Sequence, residues 1–100
     1  MDRSIEKIKN KAVPILKSSG VEFAGIFGSC ARGDADERSD IDLLVRFTSR
    51  KSLLDLVHLE NTLSDVLNRK VDVVTEGFIS PYIKEYVFND LKPFYGERQK

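Results

Sequence analysis

Asp40 and Asp42 are separated by one residue, at the entrance to an apolar run, Ile41-Asp42-Leu43-Leu44-Val45-Arg46-Phe47. If that run is a strand, side chains at i and i+2 share a face, so the two carboxylates converge at its mouth. Like charges held this close raise one pKa or recruit a cation. Hard oxygen donors with no His or Cys beside them suit Mg²⁺ or Mn²⁺ rather than Zn²⁺. Asp72 interrupts a second β-branched run, Val71-Asp72-Val73-Val74. Were that strand to lie beside the first, Asp72 would complete a three-carboxylate site able to hold two metal ions and a nucleoside triphosphate for in-line displacement. Gly28-Ser29 ends a third apolar run, Val21 to Phe27, and offers a close backbone approach, a hydroxyl and an N–H to phosphate oxygens. Arg32 lies three residues further on and is a candidate phosphate partner. Each feature alone is common in turns and loops.

Known phosphate and cation motifs do not account for them. Gly28 and Gly33 have the spacing of the glycines in a P-loop, but Asp34 stands where its lysine must be. Gly25 and Gly28 have the wrong spacing for a dinucleotide fingerprint. An EF-hand loop begun at Asp34 would place Ser39 where its turn glycine belongs.

Several elements must position these groups. Ile5, Ile8, Ala12, Ile15 and Leu16 recur at helical spacing, and Pro14 is expected to kink or divide that helix. Strands are expected at 21–27, 41–47 and 71–74. The dozen residues between the first two carry no helical pattern and suit a loop between antiparallel neighbours. Residues 52–68, with Ser52 as N-cap and Leu53, Leu56, Leu59, Leu63, Val66 and Leu67 on one face, form a helix that can cross over to the third strand. Ser80-Pro81 opens a last helix running to about Asn89, and Leu91 to Tyr95 adds an extended piece. The expected class is α/β (α+β), a small mixed β-sheet flanked by helices, with residues 1–100 as one domain.

The 100 residues balance 16 Lys and Arg against 16 Asp and Glu, and 41% are apolar. That composition folds, and it lacks the basic excess of a nucleic-acid-binding chain, so nucleic acid is not expected as a direct ligand. Neutrality hides a basic stretch, residues 1–20 at net +3, and an acidic one, residues 34–42 at net −4. With no signal sequence or membrane-length apolar run, a cytoplasmic protein is expected. Cys30 cannot form an internal disulfide and is read as a bystander. His58 is read as a surface residue. Tyr82, Tyr86, Phe88, Phe94 and Tyr95 are read chiefly as packing, with partner docking as the alternative. Glu37 and Arg38 are candidates for orienting the acidic stretch.

As a unit, Gly28-Ser29, ten residues from Cys30 to Ser39, then Asp40-Ile41-Asp42 resembles the G-S-x10-D-x-D signature of the polymerase-β-like nucleotidyltransferase superfamily. The flanks, Ile26 to Ala35 and Ser39 to Val45, are similar to its minimal nucleotidyltransferases, and Asp72 falls where that family carries its third acid. The resemblance implies the polymerase-β-like fold, with ATP as substrate and Mg²⁺, two ions, or Mn²⁺ bound by Asp40, Asp42 and Asp72. It further implies phosphate binding by Gly28 and Ser29. Because many minimal members are antitoxins, it implies transfer of AMP to a tyrosine of a HEPN-domain ribonuclease toxin in a hetero-oligomer. The alternatives are an antitoxin that neutralises by binding alone, and a nucleotide or metal sensor.

Overall fold

The computed structural model describes residues 3–33 and 40–96, apart from the side chains of Arg3, Ser4, Ser29 and Phe78. Glu37 and Arg38 lie outside the described residues, as does the acidic stretch up to residue 39. The elements are α1 (Arg3–Ser18), β1 (Val21–Phe27), α2 (Ser29–Arg32), β2 (Ile41–Phe47), α3 (Leu53–Leu67), β3 (Val71–Thr75), a 3-10 turn (Glu76–Phe78), α4 (Pro81–Asp90) and β4 (Lys92–Tyr95).

The strands form one mixed sheet in the order β3-β2-β1-β4. β1 pairs antiparallel with both β2 and β4, and β2 runs parallel to β3 through the α3 crossover. Alternation divides the core between two faces. Ile41, Leu43 and Val45 join Ile5, Ile8, Ala12 and Leu16 of α1 and Leu56, Leu59 and Leu63 of α3 in the larger cluster. Leu44 points the other way, into a smaller cluster with Phe23 and Val87 of α4. By the same alternation Asp42 shares the α4 face.

α1 is continuous through Pro14, contrary to the expected division. The proline forgoes one intrahelical hydrogen bond, but Ala12 and Leu16 on either side of it are fully buried and hold the helix against the sheet. α2 is a four-residue helix within the stretch expected to be loop. It is a single turn closed by Arg32 N–H donating to Gly28 O (3.1 Å), too short to leave a periodic signature. α3 begins on the Ser52 cap in a full capping box with Asp55. Leu53 and Val66, expected on its buried face, are exposed because they fall at the two margins of the stripe that Leu56, Leu59 and Leu63 centre on.

β3 is an edge strand, and two of its N–H groups are covered by α3. Val71 N–H donates to Ser64 Oγ (3.0 Å) and Val73 N–H to Glu60 Oε2 (2.8 Å). This satisfies donors that would otherwise template another strand. No described helix is long and apolar enough to cross a membrane.

Candidate active site

Parallel pairing sets Asp42 directly opposite Asp72, and antiparallel pairing sets Phe27 opposite Asp42. The starts of β2 and β3 and the end of β1 therefore meet at one rim of the sheet. The carboxylates of Asp42 and Asp72 stand abreast on the α4 face, with Asp40 one alternation ahead. The expected neighbourhood of the three acids is thus present.

Gly28 follows at once, with φ +74°, in the left-handed region that an L side chain enters only with strain. A Cβ at this position would lie 2.6 Å from Asp42 Oδ2, so the glycine also makes the space the carboxylate occupies. Ser29 opens α2, and its backbone places it beside this cradle. Arg32 at the end of α2 forms an ion pair with Asp90 at the end of α4, Nη1 to Oδ2 2.7 Å, and also acts electrostatically on Asp42. It is near the site and already engaged by α4.

Burial raises the Asp42 carboxyl from its ordinary value, and the charges of Asp72 and Asp40 raise it further. Arg32 and Lys70 pull it back in part. Asp40 Oδ2 turns to Lys70 Nζ at 3.9 Å, a pair exposed on both sides. Lys70 is fixed there by its main chain, whose carbonyl accepts the Ile41 N–H (2.9 Å). Among the described residues no three carboxylate, imidazole or thiolate groups close on a common point as a formed metal cage. The rim instead presents hard oxygen donors whose charge Lys70 and Arg32 offset only in part, a set whose chemistry fits a divalent cation arriving with a polyphosphate.

Sequence reasoning did not find Lys70, although consecutive cations three and two residues ahead of Asp72 were a usable signal. Nor did it find a role for Cys30. The thiol is buried, donates to the Asp40 carbonyl (3.6 Å) and accepts from Arg69 Nη2 (3.6 Å). His58 is exposed, as expected. Tyr82 and Tyr86 are exposed on α4, whereas Phe94 is buried and Phe88 and Tyr95 are half-buried.

Residues 6–100 match the model of a family described as polymerase beta, nucleotidyltransferase. The chain belongs to that family. It is 49% identical over 87 residues to a Methanocaldococcus jannaschii chain that bears the name protein adenylyltransferase, covering 87% of this chain and 94% of that one. It is 39% identical over 72 residues to the protein adenylyltransferase MntA of Thermococcus cleftensis, covering 72% and 73%. Among solved structures it superposes on a minimal nucleotidyltransferase with TM-score 0.78 at 34% identity, covering 94% of this chain and 97% of the other. A toxin-antitoxin structure with AMP-PNP matches with TM-score 0.80 at 24% identity, covering 90% and 74%, and shows the shared fold. As a nucleotidyltransferase, the chain acts on a nucleotide substrate, and the rim of acids beside a glycine turn is its candidate active site.

Proposed function

We propose that this nucleotidyltransferase is an antitoxin that transfers AMP from ATP to a tyrosine hydroxyl of a HEPN-domain toxin, with Mg²⁺ as cofactor. The observation that carries the reading is the register of Asp42 opposite Asp72, with the Gly28 cradle against the Asp42 carboxylate. The names of the relatives, protein adenylyltransferases, support the acceptor class.

In this reading the Gly28-Ser29 turn and the N–H groups at the start of α2 receive the triphosphate, and Arg32 adds a cation beside it. Asp40, Asp42 and Asp72 would hold two Mg²⁺ ions, or Mn²⁺, which supply the positive charge that neutralises the polyphosphate during displacement. Asp72, on the edge strand, faces the incoming acceptor and takes its hydroxyl proton. The acceptor oxygen forms a bond to the α-phosphorus as the bond to the β-phosphate oxygen breaks, and pyrophosphate leaves. Fixed placement of these groups is the main contribution of the fold.

The test is incubation with α-labelled ATP, Mg²⁺ and the purified HEPN partner. Label is expected on a partner tyrosine, with loss of label in Asp42→Ala. Neutralisation of the toxin without label, or equal label with Asp42→Ala, overturns the enzymatic reading. The first of these outcomes would leave an antitoxin that works by binding.

A further inference from the structure

Arg69 lies in the turn between α3 and β3, three residues ahead of Asp72. Its N–H donates to Ser64 O (3.3 Å), which anchors the turn to α3. Its Nη2 donates to Cys30 Sγ (3.6 Å), and the same thiol donates its proton to the main-chain carbonyl of Asp40 (3.6 Å). Three segments of the candidate site therefore meet at one sulfur: the turn after β1, the mouth of β2 and the mouth of β3. Asp40 precedes the first residue of β2, and this contact gives its carbonyl a partner.

We infer that Arg69 is a positioning residue for Asp40, acting through the Cys30 thiol to fix the Asp40 main chain against the phosphate turn. The inference rests on the reading in which Asp40 binds metal with the nucleotide. A thiol alone is a weak donor. A guanidinium, charged at every accessible pH, that donates to the sulfur polarises the S–H bond toward the carbonyl and strengthens it. Burial of Cys30 shields this chain from salt. Lys70 supports the same aspartate differently. It reaches the carboxylate across an exposed 3.9 Å contact that salt screens. Consecutive residues thus hold Asp40 by its carbonyl and by its carboxylate, and ionic strength separates the two supports.

The experiment is equilibrium Mn²⁺ binding in the presence of a non-hydrolysable ATP analogue, read by electron paramagnetic resonance well below the unfolding temperature. Arg69→Met and Cys30→Ala are each expected to weaken Mn²⁺ binding by about 10-fold, the lower end of the usual effect of losing a group that orients a metal ligand. The double variant is expected to be no weaker than Cys30→Ala, since the two act in series. Cys30→Ser, which keeps a donor and an acceptor, should restore most of the affinity. The Arg69→Met loss should persist as salt is raised, whereas any Lys70→Met loss should shrink. Unchanged affinity in Arg69→Met, or additive losses in the double variant, overturns the inference, even if the unfolding temperature falls. Wild-type binding that Asp42→Asn abolishes and Arg69→Met leaves intact removes this inference only. If Asp42→Asn binds as tightly as wild type, or wild type does not bind, the reading of the site itself fails and the positioning role with it.

Discussion

Replacing Gly28 by alanine separates two costs that glycine avoids here. The first is the left-handed backbone at φ +74°, which costs an L residue about 1–2 kcal/mol. For a chain of this size each kcal/mol lowers the unfolding temperature by roughly 4–8 °C. The second is steric. The new methyl would stand 2.6 Å from Asp42 Oδ2, against the 3.4 Å or more of ordinary contact. The carboxylate must then withdraw by roughly 1 Å, a displacement that can cost about 100-fold in rate when it falls on a reacting group. Gly33→Ala is the matched control. Gly33 has φ +80°, the same backbone penalty, but none of the described residues lies within 4 Å of where its Cβ would be. Both variants should lose similar stability in thermal unfolding, and Gly28→Ala alone should lose about 100-fold in transfer of labelled AMP to the partner. Equal activities in the two variants would refute the argument that Gly28 exists to seat Asp42.

The Asp42→Asn variant should unfold at a higher temperature than wild type at pH 7 while losing activity. In the folded protein, burial and the Asp72 and Asp40 charges raise the Asp42 carboxyl, with Arg32 and Lys70 opposing. The folded state therefore holds this proton more tightly than the unfolded one, and the stability so gained is full at acid pH and is lost as pH rises through the raised value. The gain from Asn, a few tenths to about 1 kcal/mol for a like-charge cross-strand pair, should vanish below the ordinary carboxylate range; a lower unfolding temperature at pH 7 would contradict it. Ser52→Ala removes the hydroxyl that accepts the Asp55 N–H at the start of α3, while the Ser52 N–H still donates to the Asp55 carboxylate, and should cost about 1 kcal/mol in urea unfolding with the slope unchanged. Glu60→Ala uncovers the Val73 N–H and should cost about 1 kcal/mol, with concentration-dependent association measurable by sedimentation.

Much of the site was legible because it depends on short spacings. The i and i+2 relation of Asp40 and Asp42 holds in any strand, and the apolar runs expected at 21–27, 41–47 and 71–74 each begin after a glycine or a charged residue, Gly20, Asp40 and Lys70. The conditional step, whether Asp72 lies beside Asp42, depends on sheet order, which local pattern does not encode; the α3 crossover decides it by bringing β3 parallel to β2. What escaped is long-range and polar. The Cys30 thiol meets Arg69, 39 positions away, a contact that no local pattern signals. Arg32 meets Asp90, 58 positions away, because α4 ends beside the end of α2. Glu60 and Ser64, which carry no signal of such a role in the sequence, cover the N–H groups of an edge strand.

The sheet also divides its labour between opposite rims. One rim gathers the end of β1 and the starts of β2 and β3, and with them every acid of the candidate site. The opposite rim carries the connections at 48–52 and 76–80, including a groove of about 550 Å³ bordered by Arg50, Lys51 and Gly77. Lengthening those connections leaves the carboxylate register untouched, since register is fixed by the ladders and not by the far loops. An architecture of this kind can acquire new segments at its back while its chemistry stays constant, so sequence added there is a route by which one nucleotidyl-transfer head can be matched to different acceptors.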